Sequence, residues 1–196
     1  MPAPPSVEPL EDLLSRINSC RVCGDALPLG PRPVLQVSST ARILIASQAP
    51  GTRVHASGVP FSDPSGDRLR EWTGLSTDQF YDADRIAIVP LGLCYPGRGE
   101  SGDAPPRPEC APLWRDRIMA QLGELRLTLL VGSHAQTARF GKGAMTERVR
   151  AFREHLPAVF PLPHPSWRSQ VWMRRNPWFE AEVLPALRAA VREALS

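Results

Sequence analysis

The sequence predicts an α/β fold, a three-layer αβα sandwich with a central four-stranded parallel sheet. Three observations point there. Four short apolar runs, at residues 42–46 (RILIA), 86–90 (IAIVP), 127–131 (LTLLV) and 159–162 (VFPL), have the length and character of strands buried on both faces. Segments with helical periodicity separate them, the alternation expected of a sheet covered by helices on both sides. Each run gives way at its carboxyl end to polar residues, Gly or Pro, and in such folds ligands bind beyond the carboxyl ends of the strands.

Taken in order, residues 1–7 read as a disordered lead. Leu10, Leu13, Leu14 and Ile17 recur at helical spacing, which predicts an amphipathic helix over 8–19. Residues 24–40 are loop, and the first strand follows at 42–46. Residues 51–66, with Gly, Ser, Asp and Pro, read as a functional loop. Helices are expected at 67–73 and 76–80, then the strand at 86–90. Residues 95–107 read as a flexible Gly/Pro/Ser-rich stretch. A helix over 107–122 places Cys110, Trp114, Ile118 and Leu122 on one stripe. After the strand at 127–131, residues 135–140 and 145–155 are helical. The strand at 159–162 leads into Pro-His-Pro-Ser, and a last helix runs over about 178–195.

At 196 residues the chain reads as one domain, 1–196, large enough for a sizeable core. No apolar run approaches the roughly 20 residues of a membrane span, and the N-terminus lacks the basic start and apolar core of a secretory signal. A cytoplasmic monomer is expected, in a compartment where thiols stay reduced. The net charge of +3 permits an anionic partner without demanding one. Of the 23 basic residues only Lys142 is lysine, which fits an Arg-favouring GC-rich genome.

The four cysteines form a C-x2-C pair, Cys20 and Cys23, and a wide C-x15-C pair, Cys94 and Cys110. Four thiolates suit an iron–sulfur cluster or tetrahedral zinc. Zinc ribbons usually repeat the narrow spacing, so the wide second pair favours a [4Fe–4S] cluster over Zn. The alternative is four unrelated buried thiols.

Three segments carry a resemblance to a known family. The run 43–51 (ILIASQAPG), then 58–61 (GVPF) and 63–66 (DPSG), resembles the first motif of the uracil-DNA glycosylase superfamily, and 163–166 (PHPS) resembles its last. The spacing of Cys20, Cys23, Cys94 and Cys110 is similar to that of the iron–sulfur members, family 4. The resemblance spans residues 15–170. It implies a four-stranded parallel sheet between helices, and hydrolysis of the N-glycosidic bond of uracil or another deaminated base in DNA, with the base flipped out of the stack.

The residues are consistent with that chemistry. The bond breaks through an oxocarbenium-like sugar and an anionic base, so a carboxylate beside the sugar and a donor beside the base both help. The resemblance assigns the carboxylate to Asp63, which is similar to the Asp of an Asp-x-Ser-Gly element in a sister family; its other reading is a helix N-cap. His164 would donate to the base oxygen, or be a structural histidine in a Pro-rich turn. Gln48 stands where iron–sulfur members carry Glu, and keeps a polar group without the charge. Ala49, Pro50 and Gly51 complete that loop. Phe61 is the aromatic platform for the base, or a core residue. Ser166 and the amides after it would bind phosphate, with Arg168, Arg174 and Arg175 gripping the backbone and a neighbour wedging the duplex; the alternative is a solvated charged helix with Trp172 and Trp178 in the core. His55 and His134 are further candidates near the motifs, and His155 is expected at the surface.

Two positions depart from the iron–sulfur pattern. Pro90 stands where those members carry the Asn that reads the uracil edge, and Leu93 where they carry Lys. A second reading is therefore a catalytically weak or inactive nucleic-acid-binding member; a third is a redox module, against which stands the absence of any nucleotide fingerprint. Lys142 lies in a Gly-Lys-Gly loop away from the motifs, so the expected mechanism is monofunctional and uses water.

Overall fold

The computed structural model of the chain describes residues 8–100 and 102–196. The lead expected at residues 1–7 lies outside the described residues. In chain order the elements are α1 (Leu10–Asn18), β1 (Ile43–Ala46), α2 (Thr52–Ser57), α3 (Pro64–Thr73), α4 (Thr77–Tyr81), β2 (Ile86–Ile88), β3 (Arg98–Gly99), β4 (Gly102–Asp103), α5 (Cys110–Met119), β5 (Leu127–Val131), α6 (Gly132–Phe140), α7 (Met145–Arg150), β6 (Val159–Leu162), α8 (Ser169–Arg175) and α9 (Leu184–Leu195).

The four apolar runs form one parallel sheet in the order β2-β1-β5-β6. Side chains alternate across it, as strand geometry requires. Ile43 and Ile45 face one layer, with Leu69 and Trp72 of α3 and Leu187 and Val191 of α9. Leu44 faces the other, with Leu13 and Ile17 of α1 and Trp114 and Ile118 of α5. The sandwich is thus the expected one. The edge of β2 is covered by the segment around Gln36. Its backbone exchanges hydrogen bonds with Ile88 (2.9 and 2.8 Å), and its side-chain amide donates to the carbonyls of Ile86 and Phe80. An edge protected in this way offers no template for pairing with another chain.

The chain runs outward from β1 to β2, then returns across β1 to β5. The loops leaving β1 and β5 therefore diverge, and a crevice opens between their carboxyl ends.

Four segments differ from the sequence expectation. The loop 51–66 contains α2, whose end is set by Gly58 in the left-handed region. The stretch 95–107 is not featureless: β3 and β4 pair as a two-residue antiparallel hairpin, and the Ala104 N–H donates to the Gly97 carbonyl at 2.9 Å. The helix expected over 145–155 breaks at Ala151 into α7 and a 3-10 turn, Phe152–His155. The last helix starts with a π turn, Phe179–Val183, and α8 forms in the basic run after the Pro-His-Pro-Ser segment.

Candidate active site

Every element at the carboxyl edge contributes to one cleft of about 470 Å³. Gln48, Ala49, Pro50 and Gly51 reach it from β1, Pro90 from β2, Ser133 and His134 from β5, and His164, Ser166, Trp167 and Arg168 from β6. Phe61 and Asp63 enter from the segment before α3. Gln48, Ala49, Pro50, Gly51, Phe61, Asp63, His164, Ser166 and Arg168 therefore converge on one cavity, whereas His55, Arg174 and Arg175 do not line it. Its size falls within the range of small-molecule pockets.

Phe61 owes its position to backbone geometry. It sits at φ 53°, in the left-handed region that a bulky side chain rarely adopts. Two contacts hold it there. Gly66 lies against its backbone, so closely that a Cβ on residue 66 would fall 1.8 Å from the Phe61 carbonyl oxygen. Tyr81 Oη donates to that same oxygen at 3.1 Å. The ring then packs edge-on against Phe80, with centroids 6.1 Å apart. The two sequence readings of Phe61 are thus not exclusive: one side joins the core while the other lines the cleft. Strain of this kind persists only where the surroundings over-determine it, and it clusters at functional sites.

Asp63 both caps a helix and faces the cleft. As N-cap of α3 it accepts the Gly66 N–H on Oδ1 at 3.1 Å, and it lines the cleft. His164 faces the cleft opposite Gly132, which has φ +85° and lacks a Cβ. A side chain there would come 3.3 Å from His164 Cβ. Solvent reaches the imidazole from the cleft, but the surrounding protein disfavours its charged form. That burial holds its pKa below the usual histidine value, and the Asp63 carboxylate offsets it only in part. At neutral pH the ring is therefore uncharged and offers one N–H.

The loop bearing His164 is pinned from two sides. Arg68 Nη1 donates to the Ser166 carbonyl at 2.7 Å, and Ser169 Oγ donates to the same oxygen at 2.6 Å. Buried Gln136 donates from Nε2 to the Leu162 carbonyl at the end of β6. Trp167, 70% exposed, stands at the rim with the Arg168 guanidinium over its ring at 5.3 Å. Arg174 and Arg175 are exposed on α8, while Trp172 and Trp178 pack against the core.

Gln48 takes a different place from that of a free polar group in the cleft. Its Nε2 donates to the Ala104 carbonyl at 2.8 Å, tying the β1 loop to the β3–β4 hairpin. His134 lines the cleft as expected. His55 does not: it lies on α2 beside Tyr95, with Nδ1 buried and unpartnered. His155 is half-buried and stacks on Phe140 at 4.5 Å. The residue that sequence reasoning missed is Asp103, which the hairpin brings into the cleft wall. Its only sequence signal is an acidic residue in a Gly-rich stretch, too common to notice.

The four cysteines, all free, line a second, much smaller cavity of about 20 Å³ with Val22, Pro31, Pro33, Leu93, Leu113 and Trp114. Backbone N–H groups point at two of the sulfurs: that of Leu93 donates to Cys110 Sγ at 3.3 Å, and that of Arg32 to Cys94. Burial pushes the Cys94 thiol up to about 12 and raises Cys110 and Cys23 as well. Among the described residues no three His, Cys, Asp or Glu side chains close to the spacing of a single-ion site.

A family model described as the uracil DNA glycosylase superfamily matches residues 35–188, most of the chain. The chain belongs to the uracil DNA glycosylase superfamily. The matched span holds every cleft residue from Gln48 to Arg168, together with Cys94 and Cys110, and excludes Cys20 and Cys23. Among solved structures, the chain is similar to the solution NMR structure of a Methanosarcina acetivorans protein assigned provisionally as a uracil DNA glycosylase. The identity is 16% over 79% of this chain and 93% of that one, with a TM-score of 0.45. A likeness of that strength adds nothing to the superfamily assignment.

Proposed function

We propose that the protein is a monofunctional DNA N-glycosylase, acting as a monomer, that hydrolyses the bond between deoxyribose and uracil or another deaminated base everted into the cleft. The observation that carries this reading is the convergence of Phe61, Asp63 and His164 on one cavity at the carboxyl edge of the sheet. Phe61 offers an aromatic face to the base. The Asp63 carboxylate stabilises the sugar cation and orients water. The neutral His164 donates its N–H to the base oxygen as negative charge develops there. Ser166, with the backbone beside it, and Arg168, which both line the cleft, would meet phosphate.

Base choice does not follow the iron–sulfur members in this reading. Pro90 lines the cleft but has no N–H to offer a uracil edge. Oligonucleotides bearing uracil, hypoxanthine or xanthine, treated with the protein and then with alkali, test the reading. Strand scission at one of the modified bases is expected; no scission above a buffer control from any of them defeats the glycosylase and leaves a DNA-binding member.

Cys20, Cys23, Cys94 and Cys110 would hold a [4Fe–4S] cluster. Two observations fit it: one shared cavity, and N–H groups aimed at two sulfurs. The cluster would brace the N-terminal segment against α5. Anaerobically purified protein should be brown and contain iron and sulfide; colourless protein with one zinc per chain contradicts this.

A further inference from the structure

The β3–β4 hairpin carries into the cleft a carboxylate that none of the family-like motifs contains. Asp103 lies on β4 and lines the same cleft as Asp63, and its Oδ2 comes within 3.4 Å of where a Cβ on Gly51 would stand. The hairpin is held where it leaves β4. Pro106 packs over Gly92, where a Cβ would meet the proline Cβ at 2.9 Å, and Gln48 Nε2 donates to the Ala104 carbonyl at 2.8 Å, with a longer approach to the Asp103 carbonyl at 3.4 Å. Those partners are both acceptors. A glutamate at 48 would present only lone pairs to them, so an amide at this position and a docked hairpin belong together.

The two carboxylates are also differently engaged. Asp63 spends Oδ1 on the Gly66 N–H. The Asp103 carboxylate accepts no hydrogen bond from any described residue and is open to the cleft. Partial burial raises its pKa, and the like charge of Asp63 acts in the same direction against the attraction of Arg98. The less engaged carboxylate, open to the cleft, is the one free to accept a proton.

We propose that Asp103 is a second catalytic residue of this cleft, delivered by the hairpin and positioned by Gln48, which takes the proton from the attacking water while Asp63 stabilises the sugar cation. This rests on the glycosylase reading and divides the work within it. The C1′–N bond breaks with its electron pair going to the base. The water oxygen forms the new bond to C1′, and the proton it loses passes to the Asp103 carboxylate. Gln48 is then a positioning residue, and the charge absent from the β1 loop enters the cleft from the hairpin.

Single-turnover excision from a duplex containing the base that the wild-type protein removes tests this. Asp103→Asn should lower the rate by about 100-fold or more, with duplex affinity within two-fold and an unchanged melting temperature. The charged and titratable groups around residue 103 are Arg98, Asp63, Arg168, His164 and His134. With those intact, the acid limb of the pH–rate profile should move to lower pH in Asp103→Asn. Gln48→Ala should slow the reaction about tenfold and leave the acid limb in place, because the carboxylate remains but is less well held. An Asp103→Asn rate within two-fold of wild type overturns the assignment, as does an unmoved acid limb. An active wild type with an indifferent Asp103→Asn removes this assignment alone. A wild type inert on every base removes the glycosylase reading and this inference with it.

Discussion

The cleft and the cysteine cavity are built on opposite principles. The cleft is wide, about 470 Å³, and its wall carries carboxylates, histidines and an arginine that solvent can reach. The cysteine cavity is about 20 Å³ and lined mostly by prolines, leucines and a tryptophan. One is roomy enough to admit a ligand; the other leaves little space beside its four thiols. In the cleft, functional side chains are kept in place by hydrogen bonds behind them: Gly66 to Asp63, Tyr81 to the Phe61 carbonyl, Arg68 to the Ser166 carbonyl. In the cysteine cavity, apolar packing around the thiols joins two backbone N–H groups aimed at sulfur. Damage to the first should therefore cost activity with the fold kept, and damage to the second should cost the fold.

After Asp63, the largest effect expected from this contrast is at His164. Replacement by Ala should lower the excision rate by about 10²–10³-fold, the usual cost of one donor to a developing anion, with little change in melting temperature. The pH profile sharpens it. Because burial holds His164 below the usual histidine value, the ring is neutral across pH 7–8.5. Its N–H should act undiminished there, whereas a charged donor would lose activity as pH rose through about 6.5. A rate that falls tenfold per unit over that interval contradicts the neutral donor.

Cys94→Ser breaks the other region. The melting temperature should drop by about 6–12 °C, the shift that roughly 3 kcal/mol produces in a chain of this size, together with iron content and colour. Activity should follow the folded fraction, so a stable, colourless and fully active variant would show that the cavity braces nothing. Next is Phe61→Ala. Loss of a stacking face worth about 1–3 kcal/mol should weaken transition-state binding roughly five- to 150-fold in kcat/KM. Smallest is Trp167→Ala. With 70% of the side chain exposed, stability should change by less than about 0.5 kcal/mol while duplex affinity falls. An unchanged affinity would place the rim tryptophan outside the DNA interface.

Much of this architecture is legible in the chain, and the reason is local. The four strands are short apolar runs buried on both faces, so composition and length suffice to find them; β1 and β6 lie within a residue of the expected bounds. The helices on the two faces follow from period. What escaped has a tertiary cause. The β3–β4 hairpin has no hydrophobic pattern; it is held by the Gln48 amide and by Pro106 packing on Gly92, contacts no sequence window contains. α2 is six residues with one buried side chain, too short to show a period. His55 stood in a plausible loop and instead points inward, because that loop is a helix whose inner face meets Tyr95. Asp63 and Phe61 were legible only as choices between a structural and a functional role. The fold shows that each residue carries the structural role and also faces the cleft.

The central claim is that Asp63 serves the reaction as well as the helix it caps, and one substitution separates the two. Asn caps helices about as well as Asp, so Asp63→Asn should melt within a degree or two of wild type. Single-turnover excision by that variant, on the base that wild type removes, is predicted to be slower by about 10²–10⁴-fold. A variant that melts normally and excises at the wild-type rate would contradict the account at its centre.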